Sequence, residues 1–295
     1  MPTQKFRYNI HKMTETITLK TTTSARRLLA VFAHPDDESF GCGGMLAKYA
    51  QAGVAVHLIC ATKGEVGDVA ADLLVGYDSI AALREAELLD AAQALGLHAI
   101  HYLGYRDSGM TGSNANQHPQ ATINAPLPVV AAQIRAVIAA VQPQVVVTFD
   151  PIGGYRHPDH IAMHQATLLA REQLSAQPDA WQPERWYYST FSRWLLKVII
   201  RVLPLFRQDP KAFGKNKDID LTSLATVDYP LHAAIALPAA ARLAKFNASE
   251  CHRSQISGSP TFRKFQRWFN RTEHFMRAYP PVAADYRESS LFPDN

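Results

Sequence analysis

The chain of 295 residues contains only three cysteines, Cys42, Cys60 and Cys251. They are odd in number and far apart, which excludes a disulfide framework and a four-cysteine zinc site and suits a reducing cytoplasm. No block of like charge and no interleaving of basic with aromatic residues occurs, and the formal net charge is a mild +4. Nucleic acid is therefore not an expected partner, whereas an anionic small substrate or a lipid headgroup suits the balance. No apolar run is long enough to span a bilayer. The best candidate, residues 194–206 (WLLKVIIRVLPLF), is short and is interrupted by Lys197 and Arg201. Residues 1–24 are polar and rich in Thr and Lys, without the apolar centre of a signal peptide. They are expected to be loosely ordered or laid over the surface. There is no Gly-x-Ser-x-Gly elbow, which disfavours a serine hydrolase, and there is no internal repeat.

What is present is a core-forming composition, 47% hydrophobic, with short apolar runs alternating with helical periodicity. Strands are expected at 27–32, 54–60, 99–103, 144–149 and 186–191, with helices at 41–52, 80–95, 129–141 and 159–174. This alternation predicts an α/β fold, Rossmann-like and doubly wound, with a mainly parallel sheet in the order 3-2-1-4-5 and a helical C-terminal extension. The expected organisation is a polar N-terminal segment 1–24, a catalytic domain 25–191, and a mostly helical part 192–295 packed on it and contributing to the substrate pocket. In that last part, 194–206 reads as a helix on the core or at a subunit contact, with lipid contact as the lesser alternative. Helices are also expected at 238–251 and 263–278, the latter carrying Phe265, Trp268, Phe269, His274 and Phe275.

Two polar clusters stand out. Ala33-His34-Pro35-Asp36-Asp37-Glu38 follows the first strand, and His157-Pro158-Asp159-His160 follows the QVVVTF strand at 144–149. Unpaired charge is costly in a core, so such clusters belong at strand ends, where imidazole and carboxylate together suit a metal. In a doubly wound sheet the loops after the first and fourth strands meet where the strand order reverses. Two histidines and a carboxylate with an open position make a plausible catalytic zinc site, and a second carboxylate beside it would serve as general base. Gly41-Cys42-Gly43-Gly44 opens a helix after a strand, but its spacing is wrong for a dinucleotide. His164, one turn after His160, reads as a helix-face histidine rather than a fourth ligand.

Together these motifs resemble the PIG-L (LmbE-like) family of zinc-dependent de-N-acetylases. The resemblance runs over about residues 28–164 and takes in Thr62-Lys63-Gly64-Glu65, Arg84 with Glu87, and Arg106-Asp107-Ser108-Gly109-Met110. The loop 153–160 and His252-Arg253-Ser254-Gln255 are similar to the branch handling low-molecular-weight thiol precursors and conjugates. The resemblance implies one zinc per chain held by His34, Asp37 and His160, with Asp36 as general base. It implies that a positively charged His157 stabilises the oxyanion, oriented by Asp159, and that Tyr155 adds a hydrogen bond. Arg84, Asp107 and Asp68 would contact the substrate. The implied activity is removal of acetyl from an N-acetylglucosamine-type amide, free or glycosidic. The alternatives are an amidase cleaving a mycothiol-like S-conjugate at the same amide and, from another class, a non-catalytic membrane-surface or binding module. The expected partner is a small N-acetylated amino sugar or glycoside, and a homo-oligomer is compatible with the sequence.

Overall fold

The computed structural model describes residues 14–20, 24–213, 217, 219–256 and 271–293. Its centre is five parallel strands, β2 (Arg27–Phe32), β3 (Ala55–Cys60), β4 (Ala99–Tyr102), β5 (Val145–Phe149) and β6 (Arg185–Thr190). With β1 (Glu15–Thr18), β7 (Ala233–Ala236) and β8 (Thr272–Tyr279) they form one eight-stranded sheet, ordered β1-β4-β3-β2-β5-β6-β8-β7. All residues of β3 and β5 are buried, as continuous apolar runs require when both sheet faces are covered.

The covering helices fall into two groups. α2 (Gly43–Gln51), α3 (Ile80–Leu95) and α9 (Ala239–Cys251) pack on one another, and α4 (Leu127–Val141) packs on α6 (Pro158–Ser175). Right-handed crossovers and the reversal of strand order at β2 send the two groups to opposite faces. β2 and β5 lie side by side, with Leu28 opposite Val145 and Val31 opposite Thr148. The chain leaving each strand therefore opens into the same crevice.

The ends of the sheet depart from the sequence expectations. Part of the polar N-terminal segment is a strand, with β1 pairing antiparallel to β4 as an edge. Its polar character is what an edge tolerates. The helix expected over 263–278 is overturned where it is described, because Thr272–Tyr279 is strand β8 between β6 and β7. Glu273, Phe275 and Arg277 alternate inward with period two, and two of these inward residues are charged, which hides the apolar alternation. Residues 263–270, with Phe265, Trp268 and Phe269, lie outside the described residues. The stretch 194–206 falls in helix α7 (Arg193–Val202) and a 3-10 turn (Leu203–Phe206). Leu196, Ile200 and Leu203 pack inward with Ile152 and Tyr155, while Trp194 and Leu205 are 73% and 81% exposed. Among the described residues, no helix is long and apolar enough to cross a membrane.

One buried polar cluster bears on stability. His57 Nδ1 lies 3.1 Å from His101 Nε2, and His101 Nδ1 lies 3.0 Å from Thr16 Oγ1, which ties β3, β4 and β1 together. Burial, reinforced by neighbouring imidazoles, pushes His57 down to about 3 and His101 down to about 4. Both are neutral in the folded chain and titrate near 6.5 when it unfolds, so the unfolded state binds more protons on acidification. Their contribution to stability is complete above the unfolded value and is lost as pH falls from there toward 3. The carboxylates of Asp37 and Asp107 are held below the ordinary range, so their contribution is lost only at more acid pH. Denaturant midpoints of the wild type are expected to drop between pH 6.5 and 4, and those of His57→Gln to drop less. Equal drops in the two proteins would contradict this account.

Candidate metal centre and active site

His34 stands two residues beyond β2, and Asp37 opens the short helix α1 (Asp37–Phe40). Beyond β5, the helical turn α5 (Gly153–Arg156) leads to His157, the N-cap of α6, and to His160 in its first turn. Adjacency of β2 and β5 brings these residues together across the crevice. His34 Nδ1 lies 3.2 Å from His160 Nε2, which lies 3.2 Å from Asp37 Oδ1, and Asp37 Oδ2 is 3.6 Å from His34 Nδ1. Tetrahedral zinc with bonds of about 2.0–2.2 Å places neighbouring donors about 3.3–3.5 Å apart. The three donors match that spacing.

Hydrogen bonds on the far ring nitrogens assign the tautomers. His34 Nε2–H donates to Asp159 Oδ2 at 3.0 Å, and His160 Nδ1–H donates to the Gly153 carbonyl at 3.1 Å. The nitrogen lone pairs left over then face each other at 3.2 Å. A metal between them, or a proton on His34, relieves that arrangement, and outer acceptors of this kind are those that orient histidines toward a metal. The electrostatics agree. Burial works against charge on His34, yet the carboxylates of Asp107, Asp159 and Asp37 hold its pKa well above the ordinary value. Burial also opposes ionisation of Asp37, but His160 and His34 keep it below the usual carboxylate range. The pocket demands positive charge at its centre. His157 lies within 4.8 Å of both His34 and His160, and a second group within that distance joins His34 and His157 to Asp107 and Asp159. His157 Nδ1, however, accepts the Asp159 backbone N–H at 3.2 Å, so its Nε2 carries the proton and is a donor rather than a ligand.

Gly153 permits the approach of α6. Its φ is +65°, and a Cβ there would come within 2.8 Å of the His160 Cβ. Asp37 is fixed from the backbone side as well, its Oδ2 accepting the N–H groups of His34 at 2.8 Å and Ala33 at 3.2 Å.

Asp36 lies beside the donor set with φ 128°, in the left-handed region that L-residues avoid. Its Oδ2 accepts from Arg84 Nη2 at 3.0 Å. Burial raises the Asp36 carboxyl to about 6 against the opposing pull of Arg84. Arg84 also donates to the carbonyls of Pro35 at 2.5 Å and Gly64 at 3.2 Å and is 3% exposed. Any side chain at Gly64 would overlap its guanidinium. The expected role of Arg84 is contact with substrate; in the structure its guanidinium is bonded to the loop that carries Asp36.

Burial and the imidazoles of His34 and His160 hold His157 far below the ordinary histidine range, a direction opposed to the cation that the resemblance implies. Asp159 orients His157 through its backbone N–H, while its carboxylate serves His34 and accepts the Ser108 N–H at 2.9 Å. Tyr155 is half-buried, with its ring edge-on to His160 at 4.9 Å and its other side against the α7 cluster. Asp107 is buried, 3.5 Å from His34 Nε2, and accepts the Gly109 N–H at 2.8 Å. Asp68 is exposed on the loop after β3.

Other residues resolve plainly. His164 Nδ1 donates to the Phe149 carbonyl at 2.9 Å and is a packing residue. Cys42 is fully buried, and burial together with Glu273 raises its thiol, so it is inert. The glycine-rich start of α2 has no room for a phosphate, since Glu273 already accepts the N–H groups of Gly44 at 3.1 Å and Met45 at 2.6 Å. Glu38 holds the loop, its Oε2 accepting the Asp36 N–H at 3.0 Å. Glu65, the last residue of the Thr62-Lys63-Gly64-Glu65 motif, accepts the Asp107 N–H at 2.9 Å and is a supporting residue to which the sequence assigns no role.

Two histidines and an aspartate at the carboxyl ends of adjacent parallel strands, with a second carboxylate alongside, are a donor set suited to metal-assisted hydrolysis. The family model described as PIG-L, GlcNAc-PI de-N-acetylase, matches residues 29–171, and the chain belongs to this family of deacetylases. A relative from Rhodococcus erythropolis, a 1D-myo-inositol 2-acetamido-2-deoxy-alpha-D-glucopyranoside deacetylase, is 35% identical over 92% of this chain and 98% of its own length. A protein of the same description from Thermomonospora curvata is 35% identical over 90% of this chain and 96% of its own length. Among solved structures, the N,N'-diacetylchitobiose deacetylase from Pyrococcus horikoshii shares the fold, with a TM-score of 0.56 and 20% identity over 85% of this chain and 83% of that one.

Proposed function

We propose that the chain is a zinc-dependent hydrolase that removes the acetyl group from N-acetylglucosamine joined glycosidically to an inositol-like polyol. The observation that carries this reading is the convergence of His34 Nδ1, Asp37 and His160 Nε2 at 3.2–3.6 Å, with Asp36 beside them. One zinc per chain fits three such donors. When bound, zinc supplies a Lewis acid that polarises the acetamide carbonyl and makes a water acidic near neutral pH. Asp36 takes the proton from the attacking water. The Nε2–H of His157 and the hydroxyl of Tyr155 donate to the carbonyl oxygen as it gains charge. The carbon–nitrogen bond breaks, Asp36 passes the proton it took from the water to the departing amine, and acetate is the second product. Asp107 and Asp68 are the groups proposed to meet sugar hydroxyls.

The relatives named as acting on an inositol glycoside at 35% identity favour this substrate over a thiol S-conjugate, which the same residues would cleave at the same amide position. The test is primary amine released from N-acetylglucosaminyl inositol, free N-acetylglucosamine and a mycothiol-like S-conjugate. The glycoside is expected to be hydrolysed fastest. Hydrolysis of the S-conjugate alone would overturn the reading.

A further inference from the structure

Asp36 is held in an unfavourable backbone conformation, at φ 128° and ψ −28°, and something must hold it there. Arg84 restrains its carboxylate, but the main chain is held from the other side. The Asp36 N–H donates to Glu38 Oε2 at 3.0 Å. The other oxygen, Glu38 Oε1, accepts from Ser39 Oγ at 2.5 Å and from His252 Nε2 at 2.7 Å. Glu38 and His252 are both wholly buried. His252 caps the end of α9, outside the residues 29–171 that match the family model. Two residues on, Ser254 donates to Glu87 through its N–H at 2.8 Å and its hydroxyl at 2.6 Å. Glu87 lies one turn from Arg84 on α3. The segment after α9 thus grips both supports of Asp36: Glu38 directly, and the helix carrying Arg84.

Without the His252 donor a buried oxygen of Glu38 loses a hydrogen bond, and the side chain shifts to find another. A displaced Glu38 no longer fixes the Asp36 N–H. The residue then relaxes from its strained conformation, and its carboxylate turns away from the water it must deprotonate. Small displacements of a general base reduce rate sharply while leaving substrate binding nearly intact.

We propose that His252 is a positioning residue for the reaction: through Glu38 it fixes the main chain of Asp36, so that the carboxylate faces the attacking water. The proposal rests on Asp36 being the general base. His252→Leu removes the donor, and His252→Gln retains one. In zinc-loaded full-length protein assayed on N-acetylglucosaminyl inositol, His252→Leu is expected to lower kcat about 10- to 100-fold, the usual effect of losing an outer partner. KM and zinc content should stay within about two-fold, and His252→Gln should recover most of the rate. Glu38→Leu removes the acceptor of the Asp36 N–H and should show the same loss in kcat, which covers the case of a His252→Leu protein that does not fold. A folded, zinc-loaded His252→Leu or Glu38→Leu protein with wild-type kcat overturns the proposal, as does a His252→Gln protein no faster than His252→Leu. Asp36→Asn is measured in parallel. If it is inactive while His252→Leu is fully active, the positioning role alone fails. If Asp36→Asn is itself active, the assignment of the base fails and this proposal with it.

Discussion

Asp36→Asn is expected to yield a folded, metal-loaded protein whose turnover falls by about 10²- to 10⁴-fold, the range general acid–base catalysis supplies. The substitution changes almost nothing else. An asparagine oxygen can still accept from Arg84 Nη2, and the main-chain N–H keeps its bond to Glu38. The proposed metal donors on His34, Asp37 and His160 are not altered. What is lost is the capacity to accept a proton. The pH dependence carries the same signature. Burial raises the Asp36 carboxyl to about 6, and a base acts only when deprotonated, so wild-type activity should fall as pH drops through about that value. The residual activity of Asp36→Asn should lack this limb. Near wild-type turnover in the variant would show that Asp36 is not the base.

The second large effect is loss of the metal. His160→Ala removes a donor that is 2% exposed and whose other nitrogen is already committed to Gly153. Asp37→Ala removes the carboxylate that faces both histidines. Each should abolish zinc retention on dialysis and take activity with it. Asp159→Asn, which alters the acceptor shared by His34 and the Ser108 N–H, should weaken binding by about 10- to 100-fold and be rescued by added zinc. Metal analysis of the three proteins separates these roles. Full zinc occupancy in His160→Ala would contradict the ligand assignment.

How much of this is legible in the sequence differs from element to element. The apolar runs at Leu28–Phe32 and Val145–Phe149 mark two buried strands, and crossover geometry puts their following loops together. The density of charge from His34 to Glu38 cannot be core, so its position at a strand end is readable. Asp36 and Asp37 are separable in role because adjacent side chains diverge.

The partnerships across long sequence separations are not readable. His252 meets Glu38 from 214 residues away, and no local pattern marks it as a neighbour of the loop. Arg84 is expected at the substrate, and nothing in its local sequence shows that the carbonyls of Pro35 and Gly64 and the Asp36 carboxylate bond its guanidinium. The charge of His157 cannot be read from its neighbours in sequence, because burial and two imidazoles outweigh the carboxylates around it. Strand β8 is hidden because Glu273 and Arg277 occupy inward positions, one capping α2 and the other paired with Glu288.

The central claim is that a zinc held by His34, Asp37 and His160 deacetylates an N-acetylglucosaminyl polyol. Its most direct test is titration of zinc into metal-stripped wild-type protein while amine release from N-acetylglucosaminyl inositol is followed. Activity should be absent at the start, rise in proportion to added zinc and level off at one equivalent per chain. Full turnover by the stripped protein, unchanged by zinc or chelator, would contradict it.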